Sequence, residues 1–244
     1  MKNFVILFCF MASLLMSFES YATEQCINKN QQLGAIYLIE TSHKDHETKP
    51  TKGKFELWRN GHDILHINPS KQTTNQWHSL KNNSFRKVSY FDHYQKGIEF
   101  EPIALTKAKW QLKYQLVSEE QLSKMTLIST KGKRCDRIEH YKFTNKDQSI
   151  ELWWQPELQL AQKIIYHEKE TITVWQLNKT IFLKSDIENT FNKIEHYQMT
   201  DYADIGDNES DPFLRKMIRL GFINHAGSGF YDAQGNQLAH DHQH

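Results

Sequence analysis

The chain has 244 residues, and its 30 Lys and Arg stand against 29 Asp and Glu for a formal net charge of +1. That interspersed balance excludes a protein built around phosphate neutralisation, so no nucleic-acid partner is expected. A hydrophobic content of 39% is enough for a packed core and excludes a disordered chain.

The N-terminus carries the clearest address. Lys2, the apolar run from Phe4 to Phe18 and the small-x-small ending at Ser20 and Ala22 read as a secretory signal peptide over residues 1–22. A membrane anchor is the alternative, but a span needs about 20 apolar residues and this run is shorter. Ala22, Thr23, Glu24 and Gln25 precede Cys26, so there is no lipobox, and the mature chain is expected to be soluble. The expected compartment is periplasmic, with an extracellular location as second choice. In a eukaryotic secretory setting Asn82 and Asn178 are glycosylation acceptors. Cleavage removes Cys9 and leaves Cys26 and Cys135 as a pair where disulfides persist. Their bond would close a loop of about 110 residues, which chain entropy values at roughly 4 to 5 kcal/mol before strain.

Residues 23–235 read as one β-rich domain. Phe55 to Arg59 and His62 to Asn68 flank Asn60-Gly61, the dipeptide suited to the two positive-φ positions of a type I′ hairpin. Further hairpins are expected from Arg86 to Tyr94 with Gly97 to Pro102, Arg137 to Phe143 with Ser149 to Gln155, and Leu160 to Glu168 with Thr171 to Leu177. Thr180 to Leu183 with Lys193 to Thr200 completes the set. Helical spacing of Trp110, Tyr114 and Val117 predicts a helix over Thr106 to Val117, although Leu112 to Leu116 also alternates like a strand. A second helix is expected at 212–220, capped by Asp211, opened by Pro212, lined by Phe213, Leu214, Met217, Ile218 and Leu220, and stopped by Gly221. The expected fold class is mainly β (α+β): a curved antiparallel sheet or incomplete barrel with a few packed helices.

Ile138-Glu139-His140-Tyr141 recurs as Ile194-Glu195-His196-Tyr197 in two expected strands. Either His140 and His196 line a common cavity, or the recurrence is coincidence, which the lack of any extended period favours.

Ile150 to Ile164 contains Trp153-Trp154-Gln155-Pro156 between two strands. This strand, aromatic, Pro-turn, strand order resembles periplasmic carriers of the LolA and LolB type. The resemblance covers one hairpin and the order of elements. It implies an incomplete antiparallel barrel with a helical lid over an apolar cavity that holds acyl chains, and no catalytic residues. On that reading Trp58, Trp153, Trp154, Trp175, His140 and His196 are the candidate cavity residues. As ordinary core, the same tryptophans need no ligand. Aromatics on both faces of Glu151 to Gln155 suggest that something covers each side.

Metal binding is the competing chemistry. His240, His242 and His244 alternate around Asp241 in a His-rich tail at 236–244, with His225 nearby, and such imidazoles can chelate Zn or Cu. His43, His46 and Glu47 form a lesser cluster, and His62 and His66 share one strand face. Asp201, Asp204, Asp207, Glu209 and Asp211 lack EF-hand spacing and read instead as carboxylates favouring the start of the following helix. Gly227-Ser228-Gly229 is a turn rather than a nucleophile elbow, and no His-Glu-x-x-His or phosphate-cradling loop occurs. The expectation is an exported non-catalytic envelope protein that binds a hydrophobic small molecule or a lipidated protein. Its alternatives are a periplasmic Zn or Cu binder using the tail, and an assembly factor without a small ligand.

Overall fold

A computed structural model of the chain describes residues 31–45, 48–81, 83–208 and 210–219. The leader, Cys26, His46, Glu47, Asn82, His225, Ser228 and the His-rich tail lie outside the described residues. Within them, twelve strands form one open, curved sheet in the order β12-β6-β5-β4-β3-β2-β1-β11-β10-β9-β8-β7. The strands β1 (Gln32–His43), β2 (Thr51–Asn60), β3 (Asp63–Asn68), β4 (Thr73–Ser79), β5 (Ser84–Phe91) and β6 (Lys96–Ala104) make one antiparallel meander. Helices α1 (Lys107–Gln115) and α2 (Glu119–Ser123) then carry the chain to the opposite edge. There β7 (Thr126–Lys131), β8 (Ile138–Thr144), β9 (Ser149–Gln155), β10 (Leu160–His167) and β11 (Thr171–Ile181) make a second meander. The long strands β1 and β11 join the two, with Gly34 opposite Ile181 and His43 opposite Thr171.

All four main hairpins form, with one change of register. Asn60 pairs with Asp63, so Gly61 and His62, rather than Asn60 and Gly61, are the central turn residues. Gly61 has φ +64 and His62 is not in the positive-φ region. That is the demand of a type II′ turn, with Gly at its first central position, and not of type I′.

The expected last pair of strands is largely absent. Thr180 and Ile181 end β11, and Lys184–Asn192 forms α3 instead. Ile187, Phe191 and Ile194 recur at helical spacing and pack on Trp58, Leu65, Val88 and Tyr90. Burial of that stripe overrides the strand-like polar pattern around it. Only Gln198–Asp201 forms a strand, β12, and it pairs parallel with β6. Ile194 to Tyr197 is therefore a turn after a helix, while Ile138 to Tyr141 belongs to β8, so the repeat has no common structural meaning.

Local chemistry sets the ends of the two expected helices and of α2, which was not expected. Thr106 Oγ1 accepts from the Lys109 amide at 3.2 Å to start α1, and Leu116 ends it with φ +67. Ser118 and Gln121 form a reciprocal capping box for α2. Asp211 Oδ1 accepts from the Phe213 amide at 2.7 Å ahead of α4 (Pro212–Arg219), and its other oxygen accepts from Lys96 at 2.7 Å. That carboxylate thus acts as a helix cap, as its position before Pro212 implies. Phe213, Leu214 and Met217 of α4 bury against Phe91, Ile98 and Ile205. Cys135 lies in a single 3₁₀ turn, Arg134–Asp136, between β7 and β8. No helix among the described residues is long and apolar enough to cross a membrane.

Candidate functional site

Strand alternation gives the sheet two faces. The inner one carries the principal core: Leu33, Ala35, Tyr37 and Ile39 from β1, Phe55 and Leu57 from β2, and Leu152, Trp154, Leu160, Ile164 and Trp175 from the second meander. Its centre is aromatic. Tyr37, Phe55 and Trp175 stand with ring centroids 5.1 to 6.5 Å apart in tilted pairs.

The α1–α2 segment sits on this floor as a plug, with Leu116 and Val117 inserted into the cluster. Its seating is unusually polar, because α1 buries Gln111, Lys113 and Gln115. Fully buried Arg59 on β2 is the main tether. Its Nε donates to Tyr114 O at 2.6 Å, and its two terminal nitrogens donate to Leu158 O at 2.9 Å and Gln159 O at 2.6 Å. The guanidinium also lies 4.1 Å from the centre of the Tyr114 ring. One side chain thereby clamps the last turn of α1, where carbonyls lack helical partners, to the β9–β10 turn. Burial draws the Arg59 pKa down to about 10, opposed by the nearby Tyr114 and Tyr37.

His66 on β3 is the second tether, with Nε2 2.6 Å from Lys113 O. A carbonyl only accepts, so Nε2 carries the proton. Burial, the first cause, takes this imidazole down to about 3, and the charges of Lys113 and Arg59 act in the same direction. His66 is therefore neutral at ordinary pH.

Beyond His66 the inner face continues to Trp77 on β4, which belongs to the same apolar cluster. Two buried lysines, Lys87 on β5 and Lys113 on α1, flank that indole, and Phe85 stacks on Trp110 beside them at 4.4 Å. Burial lowers Lys87 to about 8 and Lys113 to about 7, the latter helped by Lys87 and Lys109. The arrangement supplies an extended apolar floor with cationic donors at one end.

The residues singled out from sequence do not share one site. Trp154 and Trp175 are in the inner floor. Trp58 lies on the outer face beneath α3, where its Nε1 donates to Glu56 at 2.8 Å. Trp153 is also on the outer face and stacks on His140 at 4.2 Å, with Lys163 5.4 Å from its ring centre. The His140 Nε2 is 3.3 Å from Glu151. His196 is exposed after α3, near the other end of the sheet order. Pleat alternation separates neighbours such as Trp153 and Trp154, so a shared cavity for all six is ruled out by the sheet itself. His62 is in a turn and His66 in the core, so they do not share a strand face either. Among the described residues no group of three His, Cys, Asp or Glu could hold a metal, and His225, His240, His242 and His244 fall outside them.

No family model and no curated protein matches the chain. Solved structures do show similar strand arrangements. PNGF-II is similar over 70% of this chain at 11% identity and a TM-score of 0.39, and the chain spans 31% of that protein. An outer membrane lipoprotein-sorting protein domain from Vibrio parahaemolyticus is similar over 71% of this chain and 96% of its own, at 9% identity and a TM-score of 0.31. A LolA superfamily protein from Nitrosomonas europaea is similar over 66% of this chain and 93% of its own, at 8% identity and a TM-score of 0.24.

Proposed function

We propose that this chain is an exported, non-catalytic envelope protein whose inner face binds a hydrophobic ligand or the lipid moiety of a partner protein. The observation that carries the reading is the contrast between the floor and its plug. The floor is a continuous set of aromatic and aliphatic side chains, whereas the plug, which packs Trp110, Tyr114, Leu116, Val117 and Leu122 on it, also buries Gln111, Lys113 and Gln115 there and is tied by two tethers to backbone carbonyls. A short two-helix segment seated partly on polar groups opens at lower free energy than the strands beneath it. Opening would expose apolar surface at a cost of about 25 cal/mol per Å², which an apolar ligand would recover by taking the room of Leu116 and Val117. The leader at residues 1–22 and the pair Cys26 and Cys135 accord with work outside the cytoplasm.

The test is native mass spectrometry of the mature protein, purified without a tag from its own periplasm, before and after chelator. A mass increment that survives chelation and fragments as lipid is expected. A bare protein mass, or an increment that chelator removes, would overturn the reading.

A further inference from the structure

Lys87 and Lys113 are each only 4% exposed. Their ammonium groups lie 5.6 and 4.3 Å from the centre of one ring, that of Trp77, and so no more than about 10 Å from each other. Lys87 also faces the Phe100 ring at 4.6 Å. Among the described residues no carboxylate pairs with either ammonium, and none is among the charges that act on them. Trp77 is 2% exposed, and its Nε1–H has no acceptor among the described residues. Arg59, by contrast, spends its donors on three carbonyls.

Buried cations are ordinarily paired, and buried donors are ordinarily satisfied. Here two lysine amines and one buried N–H gather around a single indole that is itself part of the apolar floor. An acceptor that suits all three is anionic, and the floor beside it suits a chain of methylenes.

We propose that Lys87, Lys113 and Trp77 form a subsite for the anionic end, carboxylate or phosphate, of an amphiphile whose chain lies on the inner face. This rests on the carrier reading above. Lys113 sits on the plug and Lys87 on the sheet, so one anion would bridge the moving part and the fixed part.

Oleate and methyl oleate share a chain and differ in head charge, so their affinities for the full mature protein isolate the subsite. Wild type is expected to bind oleate at least about tenfold tighter, as charge-assisted hydrogen bonds imply. The Lys87→Met/Lys113→Met variant should bring the ratio close to one. Met keeps the stem volume, and circular dichroism checks the fold; if the pair does not fold, Lys87→Met alone should cut the ratio at least about threefold. Equal binding by wild type, or a ratio that survives in the variants, would overturn the subsite and leave the carrier reading standing. If neither amphiphile binds, the carrier reading fails, and inorganic phosphate alone decides the subsite. Phosphate binding that the variants lose would support a free-anion site, and no phosphate binding would overturn it too.

Discussion

Replacing Arg59 with Met removes the clamp between α1 and the β9–β10 turn while keeping an apolar stem. Three hydrogen bonds from a charged donor, at about 2 kcal/mol each, total about 6 kcal/mol. Against this, burial penalises the cation and draws its pKa to about 10 although Tyr114 and Tyr37 oppose the shift, so about half of that gain offsets keeping the charge inside. The net loss is therefore ~3 kcal/mol, read as a lower urea midpoint at unchanged slope. Hydrogen exchange should localise part of the loss, with the α1 amides from Trp110 to Gln115 losing more protection than those of β1 and β11. Arg59→Lys keeps the charge but lacks the fork, so it should not restore wild-type stability. A loss below about 1 kcal/mol, or α1 protection equal to wild type, would refute the clamp.

Burial keeps His66 neutral down to about 3, whereas the unfolded imidazole takes a proton near 6.5; its stabilising contribution is thus complete above that value and fades as pH falls toward 3. The stability difference between wild type and His66→Gln should shrink below about pH 6, and a pH-independent difference would contradict this. Lys113 and Lys87, lowered by burial to about 7 and about 8 from 10.5, leave the folded state with fewer bound protons than the unfolded one over the interval up to 10.5. Stability should therefore rise with pH across that window in wild type, and the rise should be absent from Lys87→Met/Lys113→Met. A Cβ on Gly34 would stand 2.4 Å from Trp58 Cζ3. Gly34→Ala must therefore displace the indole beneath α3 and should cost about 2 kcal/mol by urea denaturation, with an unchanged midpoint contradicting the contact. The proposed Cys26–Cys135 disulfide predicts that reduction lowers stability by about 4 kcal/mol, and identical unfolding with and without reductant would remove it.

The sequence carried much of the second meander because each of its hairpins is bounded by turn residues and alternates strongly. β9, for example, buries Leu152, Trp154 and Gln155 and leaves Ile150 and Trp153 half-buried. β1 was harder to read: its sequence is an apolar run from Leu33 to Ile39 with a bulge between Ile36 and Tyr37, so Leu38 looks like core although it is half exposed on the outer face. β7 is an edge strand with every residue exposed, so it has no buried face to betray it. β4 is mostly polar and buries only Thr74 and Trp77, which lie on opposite faces. α3 starts at Leu183 without a side-chain cap, which removes the usual start signal, although the spacing of Ile187, Thr190 and Phe191 was visible.

The candidate site was the least legible part. Arg59, His66, Lys87 and Lys113 are of types that ordinarily face water, and only the register of β2, β3, β5 and the seating of α1 turn them inward. A charged residue at an inward strand position was the one available signal, since Arg59 continues the alternation of Phe55 and Leu57. The tryptophans, by contrast, announced themselves but divide between two faces, a distinction that periodicity alone makes only once the register is fixed.

The most direct test uses the six tryptophans. A brominated stearate quenches indoles close to its chain, and Trp58→Phe/Trp153→Phe removes the two outer-face indoles while leaving Trp154 and Trp175 in the floor. If the inner face holds the ligand, the fraction of tryptophan emission quenched at saturation rises in this variant relative to wild type. A fall in that fraction, or no saturable quenching in either protein, would contradict the account.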